Sequence, residues 1–121
     1  MPKIQHEGPR TGEHVLSEAR GARSREQGVL AEGKHVAGTV LALNATGDYV
    51  AVKPGADDGT GEAKAVLYAT TDATEAPQPI TVHVRACEVH GAALTWPEGA
   101  DEAAIAAGTN DLVTRGVIVR D

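Results

Sequence analysis

At 121 residues the chain has room for one domain, but large side chains are scarce: no Phe, one Trp and two Tyr, with the apolar share resting on Ala and Val. A single cysteine excludes an internal disulfide, so so thin a core is expected to find its missing burial in an oligomer. The formal charge of −6 is uneven, with residues 1–35 carrying six Lys and Arg against five Asp and Glu and the rest five against twelve. Such an acidic body argues against a nucleic-acid partner, whose phosphates call for Lys and Arg.

No apolar run approaches the roughly 20 residues of a membrane span, and Met1–His6 lacks the apolar stretch of a signal peptide. The expectation is a soluble chain made in a cytosol, with no membrane partner.

Residues 1–28 are polar, with Ile4, Val15 and Leu16 as scattered apolar anchors and Gly8-Pro9, Gly12, Gly21 and Gly28 as punctuation. Such a segment buries too little apolar surface to offset its own ordering entropy. It reads either as a frayed terminus or as an arm that orders on a partner, anchored by Val15 and Leu16.

The stretch from Gly33 to Val52 organises the remainder, residues 29–121. Apolar runs at Val36–Leu43 and Tyr49–Val52 flank Asn44–Asp48, which predicts a β-hairpin. Gly33 suits a turn into the first strand, and Gly38 a bulge or a close backbone approach within it. Pro54–Gly61 is an acidic, Gly-rich loop. Asp57, Asp58 and Glu62 lack the alternating oxygen ligands of a calcium loop, so a turn is expected there. Ala63–Ala69 predicts a short strand and Thr70–Pro79 a loop.

Ile80–Val89 predicts one longer strand. Ile80, Val82, Val84 and Ala86 fall on one face, and Thr81, His83, Arg85 and Cys87 on the other, half-exposed one. His83, Cys87 and His90 suggest a metal site or a Cys–His pair. Along a straight strand, however, residues 83 and 87 lie about 13 Å apart at roughly 3.3 Å per residue. A zinc ion needs its ligands within about 2.0–2.3 Å, so neither a metal nor a catalytic role is expected.

Trp96 is held extended by Pro97 and reads as a core plug or an interface anchor. Asp101–Arg115 predicts the main helix, with Asp101 as N-cap, Ile105, Gly108 and Leu112 on one side, and Gly116 as terminator. Gly108-Thr109-Asn110 weakens its middle, and Val117–Val119 predicts a closing strand. The fold class is therefore α+β: a small β-rich body with one main C-terminal helix and an extended N-terminal arm.

The order of these pieces resembles the head decoration protein family of lambda-like bacteriophages over residues 13–120. The resemblance rests on Glu13–Glu18, Ser24-Arg25-Glu26, Ala37–Leu41, Gly47–Ala51, Asp58-Gly59, Arg85–Val89, Leu94–Glu98 and Gly116–Val119. Ala65, where a Gly is expected, and Gly108–Asn110 depart from the pattern, and residues 1–12 find no counterpart. The resemblance implies a homotrimer bound to the major capsid protein on the outer surface of the virion head, at three-fold and quasi-three-fold positions. It implies addition after shell expansion, with no reaction and no cofactor. Val15, Leu16, Ser17, Glu18, Ser24, Arg25 and Glu26 would form the capsid-binding arm, and Trp96 and Pro97 would serve body or trimer packing. A rival reading is a small β-barrel or β-clip carrier or ligand-binding module, suggested by Gly33, Val36, Gly38, Val40 and Leu41. It lacks the lysine that a carrier needs at the hairpin tip.

Overall fold

A computed structural model describes residues 9–121. Its strands are β1 (Val15–Glu18), β2 (Arg25–Leu30), β3 (Gly33–His35), β4 (Val40–Leu43), β5 (Tyr49–Ala51), β6 (Ala65–Leu67), β7 (Thr71–Ala73), β8 (Gln78–His83), β9 (Cys87–His90) and β10 (Val117–Arg120). Among the described residues a single α-helix, α1 (Glu102–Thr114), precedes the last strand. Strands β2-β5-β4-β6-β8 close into a barrel, β1-β9-β10 form a three-stranded sheet, and β3 pairs with β7.

The expected hairpin is β4–β5, in register Leu41↔Ala51 and Leu43↔Tyr49. Asn44 closes its tip by accepting hydrogen bonds from the Thr46 and Asp48 backbone N–H groups, each at 3.0 Å. The first strand is shorter than its apolar run: Val36–Thr39 is a turn in which Gly38 approaches another backbone. A Cβ at Gly38 would stand 2.6 Å from the Ala93 carbonyl oxygen, and Gly38 itself accepts from the Thr95 N–H at 2.9 Å.

Because successive residues of a strand face opposite ways, β4 and β6 serve two cores at once. Leu41, Ala65 and Leu67 point into the barrel with Leu30, Tyr49, Ala73, Ile80 and Val82. Val40, Ala42 and Val66 point the other way, to Val89, Leu112 and Val117 beneath α1. Burial on both faces explains why both strands read as unbroken apolar runs.

The helix starts where Asp101 caps it, accepting from the Ala104 N–H at 2.8 Å, and it ends at Gly116, φ +95°. Its weak middle has a packing reason. A Cβ at Gly108 would lie 2.4 Å and 2.7 Å from two ring carbons of Trp96, so the glycine makes room for the indole. Trp96 is half-buried against the core under the helix.

Three expectations change. The run Ile80–Val89 is two strands, not one: Ala86 turns at φ +53°, sending β8 into the barrel and β9 into the three-stranded sheet. His83 and Cys87 are accordingly buried rather than on a half-exposed face. Thr70–Pro79 is not all loop, since β7 within it pairs through its backbone with β3.

Residues 1–8 of the expected arm, with Ile4, lie outside the described residues. From Gly12, whose N–H donates to the Tyr68 carbonyl at 2.9 Å, the chain lies on the body. β1 pairs antiparallel with β9, and β2 pairs with β8 over its whole length.

Candidate interaction strand and its buried anchor

Strand β1 carries few apolar groups, and polar side chains fasten it. At its C-terminal end Glu18 meets the start of β2. Arg25 Nη2 donates to Glu18 Oε1 at 2.6 Å, Arg25 Nε to Oε2 at 3.2 Å, and Ser24 Oγ to Oε2 at 3.1 Å. His83 of β8 brings its Nε2 to 2.5 Å from the same Oε2. An ionised carboxylate can only accept, so Nε2 carries the proton. The Arg25 guanidinium also lies over the Tyr68 ring, 4.4 Å from its centroid.

The Arg25 hydrogen bonds, and after them that from His83, hold the Glu18 carboxyl down at about 2. Behind His83 the rings of Tyr68 and His14 pack edge to face, with centroids 5.4 Å and 6.0 Å away. His14 is buried, and neither of its ring nitrogens has a partner among the described residues. Burial first, and the neighbouring His83 second, lower its pKa to about 4.

The structure thus brings together Glu18, Ser24 and Arg25 and separates them from the rest of the expected arm set. Val15 is half-buried, and Leu16 points outward, 54% exposed. Ser17 is exposed and donates to Glu88 at 2.6 Å. Glu26 is exposed and pairs with Arg85. Sequence reasoning missed His14, Tyr68 and His83 as partners of the arm residues. The one available signal was His83 on the face of its strand opposite Val82.

Trp96 and Pro97 stand apart from this cluster. Trp96 borders a cavity of about 280 Å³ with Val52, Ala104 and Gly108, and Pro97 lines a groove with His35 and Ala51. The straight-strand distance between His83 and Cys87 no longer applies, because the two sit in different sheets. Among the described residues, no three His, Cys, Asp or Glu side chains gather as metal ligands would. Burial, aided by the Glu18 charge, pushes the Cys87 thiol up to about 11, so it is no thiolate nucleophile at neutral pH.

The site is thus a short edge strand beside the closed barrel, fastened by clustered ionisable groups and showing one apolar side chain outward. The family model of bacteriophage lambda head decoration protein D matches residues 4–117. The chain therefore belongs to that family, one of structural capsid decoration proteins rather than enzymes, and membership implies a place on the phage capsid. The match begins at residue 4, so most of the segment left without a counterpart by the sequence reading falls within it. No curated protein matches the chain.

Proposed function

We propose that the protein decorates the outside of an expanded phage head as a homotrimer, bound to the major capsid protein at three-fold and quasi-three-fold positions. There it stabilises the shell against the pressure of packaged DNA. The observation that carries this reading is the family match over residues 4–117. The acidic charge of the body supports it, in that nucleic acid and membrane have no part in the mechanism.

In this reading the arm, residues 1–28, makes the capsid contact, and the strand β1 presents it. β1 lies at the edge of its sheet and shows Leu16 to solvent. An extended partner segment adds to such an edge through backbone hydrogen bonds, with alternate side chains setting register. Leu16 and Ser17 supply the contact. Val15 seats the strand, while Glu18, Ser24 and Arg25, with Glu26 beside them, hold it in place. Trp96 packs the body, and Pro97 with its groove faces a neighbouring subunit. One attachment is weak, but three on a rigid trimer raise avidity by roughly 10²–10⁴. Selective binding to the expanded shell then stabilises that state by mass action.

The variant Leu16→Asp tests the contact separately from the fold. Its melting should stay within about 0.5 kcal/mol of the parent, as for exposed positions generally. Attachment to expanded heads should fall at least about tenfold, the worth of one buried leucine. Full-strength binding by this variant would remove Leu16 and β1 from the interface.

A further inference from the structure

The ionisable group that decoration leaves without a role is His14. It sits at the base of β1, 1% exposed, with both ring nitrogens lacking a partner among the described residues. Its own carbonyl accepts from the His90 N–H at 2.8 Å, so seating the ring and pairing the strand are one event. Beyond it Val15 is half-buried, Leu16 and Ser17 are exposed with Ser17 donating to Glu88, and a bulge interrupts the pairing with β9 between Val15 and Ser17. The side chains that fasten the two ends of β1 are thus both titratable, His14 at one and Glu18 at the other.

We propose that His14 is an acid-sensitive latch: its neutral ring seats residues 12–18 on the body, and its protonation releases them from β9. A protonated ring carries two donors and a charge into a site where neither ring nitrogen has a hydrogen-bond partner among the described residues. The groups around it give no compensation. From β8 comes His83, its ring centroid 6.0 Å away and its Nε2 already turned to Glu18. Arg25 of β2 lies beyond that carboxylate, against Tyr68. From β9, His90 meets His14 through its backbone N–H, Glu88 is engaged by Ser17 and Arg120, and the Cys87 thiol stays neutral.

The direction of titration agrees. The pKa of His14 in the fold, about 4, lies below the 6.5 of the free side chain. The unfolded or released segment therefore binds the proton more tightly. The latch is fully closed above 6.5 and gives way as pH falls toward 4, while Glu18, at about 2, is still ionised.

Hydrogen exchange on the full chain tests this, comparing the parent with His14→Phe at pH 7 and at pH 4 so that intrinsic exchange rates cancel. At pH 4 the parent's peptides covering residues 12–19 should lose on the order of a hundredfold in protection relative to His14→Phe. Protection over β4 to β6 should be equal in the two chains. Equal protection of residues 12–19, or a loss spread evenly over the barrel, would overturn the latch. A second readout needs no variant: the His14 ring resonances should titrate well below 6.5, together with the amides of Val15 and His90. Titration near 6.5 with those amides unmoved would contradict it as well.

Discussion

Gly108→Ala is expected to destabilise the protein although it removes a glycine from the middle of a helix. In an exposed helix that change gains about 1 kcal/mol. Here the new Cβ would stand 2.4 Å and 2.7 Å from Trp96 ring carbons, and no rotamer of alanine avoids them. The indole must shift off the core, an overpacking cost of about 1–3 kcal/mol that outweighs the helical gain. Trp96→Ala should itself cost about 3 kcal/mol, at the low end for an aromatic because the ring is half-buried. With the indole gone the conflict disappears, so Gly108→Ala in the Trp96→Ala background should stabilise by about 1 kcal/mol. Urea unfolding of the four chains checks this reversal of sign. Simple additivity would mean that the ring and the helix do not meet as described.

Glu18→Ala should cost about 2–3 kcal/mol. The carboxylate is the shared acceptor of Arg25, His83 and Ser24, and its removal leaves His83 buried with a proton on Nε2 and nothing to receive it. Breaking a fully buried pair costs about 3–5 kcal/mol. The Glu18 side chain is 25% exposed, and water screens part of that. Glu18→Gln, which keeps an acceptor oxygen, should lose less. The pH dependence has a definite sign. The Glu18 pKa is depressed from 4.5 to about 2 by Arg25 first and His83 second, so its contribution is complete above 4.5 and is lost as pH falls toward 2. The stability gap between the parent and Glu18→Ala should be flat from pH 8 to about 5 and close at lower pH. A gap that persists unchanged at pH 2 would show that the charge of Glu18 is not what the network uses.

The sequence carried the elements better than their closure. Val40–Leu43 and Ala65–Leu67 are legible as strands from their apolar runs, but alternation alone does not say that both faces are covered by different cores. The alternation of Ile80–Ala86 changes phase beyond it, with Glu88 on the apolar parity and Val89 on the polar one, yet the whole run still reads as strand. The corner there is a backbone event, with φ +53° on a residue that advertises no turn. Strands β3 and β7 pair Gly33–His35 with Thr71–Ala73 through main-chain hydrogen bonds, and neither has a side-chain period to read. Asp101, Leu112 and Gly116 mark the helix clearly because capping and termination are local chemistry. Gly28 and Gly108 read as punctuation and weakness. In the fold each leaves the space that an aromatic ring fills, Tyr49 and Trp96 respectively.

The anchor of β1 shows the same limit. Glu18, Ser24 and Arg25 are near neighbours in the chain and stand out together. His83 lies 65 residues from Glu18, and its approach depends on β2 pairing with β8 in one register, Arg25 opposite His83. Sequence order encodes no such distance.

The most direct test of the decoration account is to mix the purified full chain with expanded and unexpanded heads of its own phage and image the particles by cryo-electron microscopy. Saturable binding to expanded heads is expected, with three copies clustered outside the shell at three-fold and quasi-three-fold positions and the N-terminal segment against the capsid protein. Absence of binding to expanded heads, or density located inside the shell or away from those positions, would contradict it.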